Sequence, residues 1–351
     1  MGLETDRDAK RGVCRDGGVV PKTGVVVSKQ KKVLVTGASG FLGSHIVEAA
    51  HEAGYEVHAI IRETSSRRWL KHHWLNIHTV GLNRCAELSD ILSKMDVVIH
   101  NAGATSGYSK EILQKVNVEG TKAIVEESIK AGVKRFVYVS SQAAGGPSKG
   151  TYPKTEDDPD CPISTYGFSK KTAEEILLGL RDRIQIVILR YPVIYGPRGE
   201  EMLPIFKILS GPLQPVMGFK PLYTSMIYVT DAAQAAVAAL QAKVASGSIY
   251  YIADGVDYTL EYLYDLIGEA LGKKGLRIKL PLWIVSIAAW WVHDVRKKRL
   301  SFNREGVREF KARFWLASSE KAMRELGWKP QVLPQEGFAK TIRWYRYKRW
   351  L

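Results

Sequence analysis

Lys31-Lys-Val-Leu-Val-Thr36-Gly37-Ala-Ser-Gly40-Phe-Leu-Gly43 runs a short apolar strand into three glycines spaced three and three, with a helical pattern over Leu42–His51 behind them. Each glycine has a separate use. Gly37 permits a tight turn, Gly40 lets backbone approach a pyrophosphate, and Gly43 lets helix and strand pack closely. A helix that begins at such a turn offers N–H donors and a partial positive charge to an anion. Placed directly after a strand, the stretch predicts the opening of a dinucleotide-binding βαβ unit, with Gly37, Ser39, Gly40, Phe41, Leu42 and Gly43 against the cofactor.

Working outward, strand and helix patterns alternate. Strands are expected at Tyr55–Arg62, Asp96–His100, Arg135–Val139 and Gln185–Leu189, and helices at Leu113–Ala131 and Thr165–Leu180. That alternation predicts an α/β fold with a Rossmann-type, doubly wound parallel sheet. Past Arg190 the regularity fades into prolines at 192, 197, 204, 212, 215 and 221, with helices at Thr230–Ala242 and Leu260–Leu271. The expected organisation is a flexible extension over 1–30, a dinucleotide-binding domain over 31–190 and a smaller, mainly substrate-binding lobe over 191–351.

The chain has 351 residues, 45% hydrophobic and 25% charged, an ordinary globular balance with room for one large or two modest domains. Three cysteines without a paired spacing point to a reducing, cytoplasmic compartment. No apolar run reaches the ~18 residues that a membrane span requires. The nearest is Leu280–Val292, with Trp283, Trp290 and Trp291, followed by the basic cluster Arg296–Arg299. It reads as a core helix or as a lid over an apolar substrate, resting peripherally on a membrane. Net charge is +15, and from Arg296 to Leu351 there are 16 Lys and Arg against 5 Asp and Glu. Such a basic face favours anionic ligands or an anionic lipid surface. Without a recognisable module, nucleic acid is a poor partner for it. His72, His73 and His78 crowd together without the carboxylate or thiolate companions a metal site needs. No G-x-S-x-G nucleophile elbow is present.

Two further features bear on chemistry. An NAD site usually carries an acid at the tip of the second strand to bond the ribose 2′-hydroxyl. Here the tip is Ile61-Arg62, with Arg67 and Arg68 behind it, which favours NADP over NAD because Arg takes a phosphate through a charge-assisted fork. Tyr166-Gly-Phe-Ser-Lys170 places a phenol and an ammonium one helical turn apart on the same face. A nearby cation is expected to lower the phenol from its usual value near 10 toward the working range.

The glycine turn, the serine pair Ser140-Ser141 at the end of a strand and Tyr166-x-x-x-Lys170, in that order, resemble the extended short-chain dehydrogenase/reductase family, also called the NAD-dependent epimerase/dehydratase family. His100-Asn-Ala-Gly103, Asn117-Val-Glu-Gly-Thr121, Leu189–Arg198 and Leu326-Gly-Trp-Lys-Pro330 match as well, so the resemblance runs from about Lys32 to the C-terminus. It implies an NAD(P)-dependent enzyme in which Ser141 (Ser140 in the alternative register) holds the reacting oxygen, Tyr166 moves the proton and Lys170 bonds the nicotinamide ribose. Asn117 would assist in a relay or in positioning. Ala102, Gly103, Tyr191, Pro192 and Val193 would line the cofactor, and members of this family often pair as homodimers. Members that act on nucleotide sugars carry an Arg where this chain has Tyr223-Thr-Ser-Met226. The pattern is more similar to the 3β-hydroxysteroid dehydrogenase and dihydroflavonol reductase branch. The expected activity is alcohol–ketone interconversion on an apolar small molecule, ahead of nucleotide-sugar epimerisation or dehydration and of a non-catalytic sensing or scaffold role.

Overall fold

The computed structural model describes residues 30–81, 85–105, 107–281, 283 and 304–351. Of the apolar run Leu280–Val292 only Leu280, Pro281 and Trp283 fall among them. Trp290, Trp291 and Arg296–Arg299 lie outside the described residues, as do residues 1–29.

A seven-stranded, all-parallel sheet organises the chain. Its strands are β1 (Lys32–Thr36), β2 (Glu56–Ile61), β3 (Asn76–Thr79), β4 (Val97–His100), β5 (Arg135–Ser141), β6 (Gln185–Tyr191) and, after four short strands that belong elsewhere, β11 (Ser248–Tyr251). The spatial order is β11-β6-β5-β4-β1-β2-β3, the doubly wound arrangement, whose switch point lies between β1 and β4. Five of the seven strands are fully or largely buried, hence their apolar runs of Val, Ile and Leu, and β11 is buried over its second half. The exception, β3, is half exposed and polar, and it carries no strand signal in the sequence.

Helices cover both faces: α1 (Phe41–Glu52), α2 (Cys85–Leu92), α3 (Lys110–Leu113), α4 (Gly120–Lys130), α5 (Gln142–Gly145) and α6 (Thr165–Leu178). The single helix expected over Leu113–Ala131 is broken at its start by a π-helical turn, Gln114–Glu119, which swings Asn117 inward. Such turns are rare and concentrate at functional sites.

Beyond residue 191 the chain serves both parts of the molecule. The short strands are β7 (Val193–Tyr195), β8 (Leu213–Met217), β9 (Tyr223–Thr224) and β10 (Met226–Tyr228), and later β12 (Tyr258–Thr259), β13 (Leu276–Leu280) and β14 (Phe314–Trp315). They form three small sheets beside α7 (Leu203–Leu209) and α9 (Leu260–Leu271). In contrast, α8 (Val229–Ala238) packs against α1 in the core of the large sheet, where Trp328 also lies. The helix Pro334–Tyr347 buries Phe338, Ile342 and Tyr345 against Phe206 and α9, closing the core of the small lobe. The aromatic tail is likewise used internally. Trp350 lies edge-on to Trp344 and stacks on Tyr345, and Trp344 meets Trp69. These rings are therefore a packing device rather than a free recognition surface. No helix among the described residues is long and apolar enough to cross a membrane.

Candidate active site

The glycine turn has no room for side chains. Gly37 has φ +66°, and a Cβ on it would stand 2.7 Å from the backbone N of Ala102. A Cβ on Gly43 would lie 2.1 Å from the Gly37 carbonyl oxygen. That oxygen accepts from the Gly40 N–H at 3.1 Å and from the Asn101 side chain at 3.3 Å, which fixes the turn to β4. Gly40 caps α1 without a side-chain hydrogen bond, and no acid stands in the first turn. The helix end is thus an uncapped, electropositive cradle suited to a pyrophosphate. Leu42 is buried beneath it, Ser39 is half-buried, and the Phe41 ring packs under Gly199. Thr36 binds the buried, neutral His100 through Nδ1 at 2.7 Å, and His100 reaches Thr121 at 3.0 Å. Burial holds the His100 pKa down to about 3, so this cross-link is uncharged throughout the physiological range.

Ser141 ends β5 and caps α5, accepting from the Ala143 N–H at 3.2 Å. Its hydroxyl lies beside the Tyr166 phenol, where it favours the ionised form. The neighbouring Ser140 points the other way and donates to Glu174 Oε1 at 2.5 Å. Alternation along a strand separates the two serines, and Ser141 is the one beside Tyr166. Ser164 caps α6, and Gly167 lets that helix approach α5 so closely that a Cβ there would sit 2.4 Å from the Ala143 carbonyl oxygen.

The titration of Tyr166 runs opposite to the expectation of a lowered phenol. Burial pushes it up, Glu201 and Glu309 push it further, and the Ser141 hydroxyl acts against them. Lys170 contributes nothing to it here, because its ammonium turns to the Val139 carbonyl oxygen at 2.9 Å and lies 4.8 Å from the centre of the Tyr138 ring. Burial lowers Lys170 to about 8, opposed by Glu174 one turn further along the same face. Gly103 sits between Lys170 and Asn117, and a Cβ on it would be 3.2 Å from Lys170 Nζ.

Asn117, buried by the π-turn, brackets Ala104 by accepting from its N–H at 2.7 Å and donating to its carbonyl oxygen at 2.9 Å. It also donates to Ser169 Oγ at 2.9 Å, and Ser169 donates to the Tyr166 carbonyl oxygen. Asn117 thus braces the first turn of α6 against the loop after β4.

Four expected cofactor residues, Tyr191, Pro192, Val193 and Arg62, need comment. The Tyr191 phenol turns away into the core and donates to the Ala232 carbonyl oxygen at 2.9 Å, whereas Pro192 is half-buried and the Val193 side chain is exposed. Arg62 stands exposed at the tip of β2, and its backbone N–H is bound to Ser65 Oγ. Its guanidinium has no partner among the described residues, whereas Arg67 is bound to Thr79 and Arg68 to Glu200.

Sequence reasoning missed the ionic network beneath the site. Arg190 of β6, 2% exposed, is held by Glu174 of α6 and by Asp160, with Lys171 on the same aspartate. A charged residue ending the apolar run Ile186–Leu189, and a Glu continuing the Tyr166–Lys170 face at the same spacing, were the available signals.

Residues 33–253 match the model of the NAD dependent epimerase/dehydratase family. Similar proteins include a ceramide reductase of Caulobacter vibrioides, 28% identical over 91% of this chain and 96% of that protein. A decarboxylating sterol-4-alpha-carboxylate 3-dehydrogenase of Candida albicans is 26% identical over 90% of this chain and 97% of its own length. The solved UDP-glucose 4-epimerase of Thermotoga maritima with UDP-glucose superposes with a TM-score of 0.75 at 25% identity, covering 91% of this chain and 99% of that one.

Proposed function

This chain belongs to the NAD dependent epimerase/dehydratase family, and we propose that it is an oxidoreductase interconverting a secondary alcohol and a ketone on an apolar, sterol- or flavonoid-like molecule. The observation that carries the reading is the placement of Ser141 beside the Tyr166 phenol, at the C-terminal end of the parallel sheet next to the glycine cradle. In a parallel sheet this is the end where ligands gather.

When bound, the nicotinamide dinucleotide supplies or accepts the hydride. The chain's own residues handle the oxygen and its proton. In the reducing direction the Ser141 hydroxyl holds the substrate carbonyl oxygen, and Tyr166 delivers the proton to that oxygen. Burial favours a resting phenol that still carries its proton, while the Ser141 hydroxyl favours the phenolate left behind. Lys170, buried and poised at about 8 on the same helix, is the cation placed to meet the ribose. NADP is preferred over NAD in this reading, because Arg62 presents an unengaged guanidinium at the tip of β2.

The apolar substrate is supported by the Tyr223–Met226 stretch. It offers no cation for a diphosphate, and the Ser225 hydroxyl is occupied by the Ala317 N–H at 3.0 Å. The lipid substrates named for the ceramide and sterol relatives point the same way. Contact with an anionic membrane surface and a homodimeric state belong to the same reading.

The test is turnover with NADPH and NADH on a panel of hydroxysteroids, ceramides and aryl ketones, beside UDP-glucose. Turnover of UDP-glucose with none of the apolar compounds would replace this reading with the epimerase one.

A further inference from the structure

The two-stranded sheet formed by β8 and β13 has an unusual outer face. The strands are parallel, with Leu213, Pro215 and Met217 in register with Leu276, Ile278 and Leu280. Registered residues in a parallel pair project to the same side, so these six side chains share one face. Every one of them is apolar. None is buried: Leu276 is 67% exposed, Leu213 57% and Ile278 40%. The alternate positions behave differently. Gln214 and Val216 are buried beneath, and Gly275 has no side chain because a Cβ there would press on Gln214 at 2.7 Å. In β8 the apolar row is therefore the side turned away from the core, while β13, whose Arg277 and Lys279 are exposed as well, meets solvent on both sides.

The surroundings say what could cover it. Because the strands are parallel, the residues that follow them emerge at one end, where Phe219 is 66% and Trp283 64% exposed. Residues 207–220 and 272–283 contain six cations and not one carboxylate. Arg277 is bound to Asp265 and Lys273 to the Ser210 carbonyl oxygen, while Lys207, Lys220, Lys274 and Lys279 have no ion pair among the described residues. At the opposite end of the ribbon a pocket of about 310 Å³ is lined by Lys207, Lys273, Arg346 and Trp350. An exposed apolar face, rimmed mainly by cations with Asp265 paired to Arg277 beside them and flanked by aromatic rings, is complementary to a bilayer with anionic headgroups. A partner protein's surface would more often present charges of both signs.

We propose that the outer face of the β8–β13 ribbon docks on an anionic phospholipid surface, with Leu213, Leu276 and Ile278 entering the acyl boundary and the surrounding lysines meeting the phosphates. The proposal sharpens the membrane-contact part of the proposed function. Its test needs no substrate, so its failure leaves the oxidoreductase reading standing.

The full chain is mixed with phosphatidylcholine vesicles, with or without about 30 mol% phosphatidylglycerol, and the bound fraction is read by sedimentation. Binding to the anionic vesicles is expected to be at least about tenfold tighter and to weaken with salt. Leu276→Gln with Ile278→Gln should cut it about tenfold. Lys220→Ala, Lys274→Ala and Lys279→Ala should each cost about fivefold. All five positions are exposed, so melting temperature and NADPH binding should stay at the wild-type values. Vesicle binding that these variants leave intact would assign it to another basic surface and overturn the proposal. So would no preference for anionic vesicles, or no binding at all. A concentration-dependent dimer that the Gln variant dissolves, in a protein that ignores vesicles, would overturn it in favour of a second copy as the occupant.

Discussion

Arg190 and Glu174 form a two-bond fork inside the protein, Nη2 to Oε2 at 2.6 Å and Nε to Oε1 at 3.0 Å, with both side chains almost wholly withdrawn from water. The fork joins the elements that carry the candidate chemistry. Glu174 lies one turn beyond Lys170 on α6 and accepts from Ser140, the neighbour of Ser141 on β5. Arg190 reaches across to Asp160 and Tyr251. A buried pair of this kind contributes little net stability while intact, yet losing one partner strands a charge.

Glu174→Ala is expected to destabilise the protein by about 3–5 kcal/mol, measured by denaturant unfolding. The milder Glu174→Gln keeps the shape and removes the negative charge that raises Lys170. The Lys170 pKa should then fall further, shifting the corresponding limb of the pH–rate profile to lower pH. A profile identical to wild type would limit Glu174 to a structural role.

Lys170 itself should trade stability for function. Its pKa falls from 10.5 in the unfolded chain to about 8 in the fold. The unfolded state therefore binds the proton more tightly. The cost, about 3 kcal/mol from the size of that shift, is full below pH 8 and disappears as pH rises through 10.5. Lys170→Met should accordingly be more stable than wild type at pH 7, by about 2 kcal/mol once the lost bond to Val139 is allowed for. The advantage should vanish near pH 11, and activity should be lost. Equal stability at both pH values would show that the ammonium is not desolvated in this way.

Tyr166→Phe removes the proton carrier and leaves the ring. We expect turnover to fall by about 10²–10⁴-fold with cofactor affinity unchanged, read by NADPH fluorescence titration beside steady-state rates. Ser141→Ala deletes the hydroxyl that opposes the upward shift of the phenol, so its limb of the pH profile should move to higher pH. A Ser141→Ala enzyme with the wild-type profile would mean that this hydroxyl does not tune the phenol in the working enzyme.

How much of this was legible in the sequence depended on how local each cause was. The turn from Thr36 to Gly43 could be read because its constraints act within eight residues. The parallel sheet was legible for the same reason, since buried strands such as Ile186–Leu189 are apolar throughout. The choice of Ser141 over Ser140 rested on motif spacing, and strand alternation supplies its physical basis. The network of Arg190, Glu174 and Asp160 was not readable, because its partners come from three elements that only the sheet order brings together. Nor was the π-turn at Asn117, since the apolar spacing over Leu113–Ala131 continues through it without interruption. The outer face of the β8–β13 ribbon was hidden too: Leu-Arg-Ile-Lys-Leu280 alternates as a half-buried strand would, yet its apolar and its charged positions are both exposed.

Gly43 offers the sharpest test of the cofactor cradle. A methyl group there would overlap the Gly37 carbonyl oxygen at 2.1 Å, and that oxygen is held by backbone on one side and by Asn101 on the other. No rotamer change can relieve a clash between a Cβ and backbone, so α1 would have to move away from β1. Gly43→Ala should therefore lose both NADPH and NADH binding by about 100-fold or more while the far-UV spectrum stays folded. Arg62→Ala, by contrast, leaves the cradle intact and removes only the exposed guanidinium. It should weaken NADPH by about tenfold or more and leave NADH unchanged. Equal effects on the two nucleotides would mean that Arg62 does not read the 2′-phosphate, and cofactor choice would pass to the loop arginines Arg67 and Arg68.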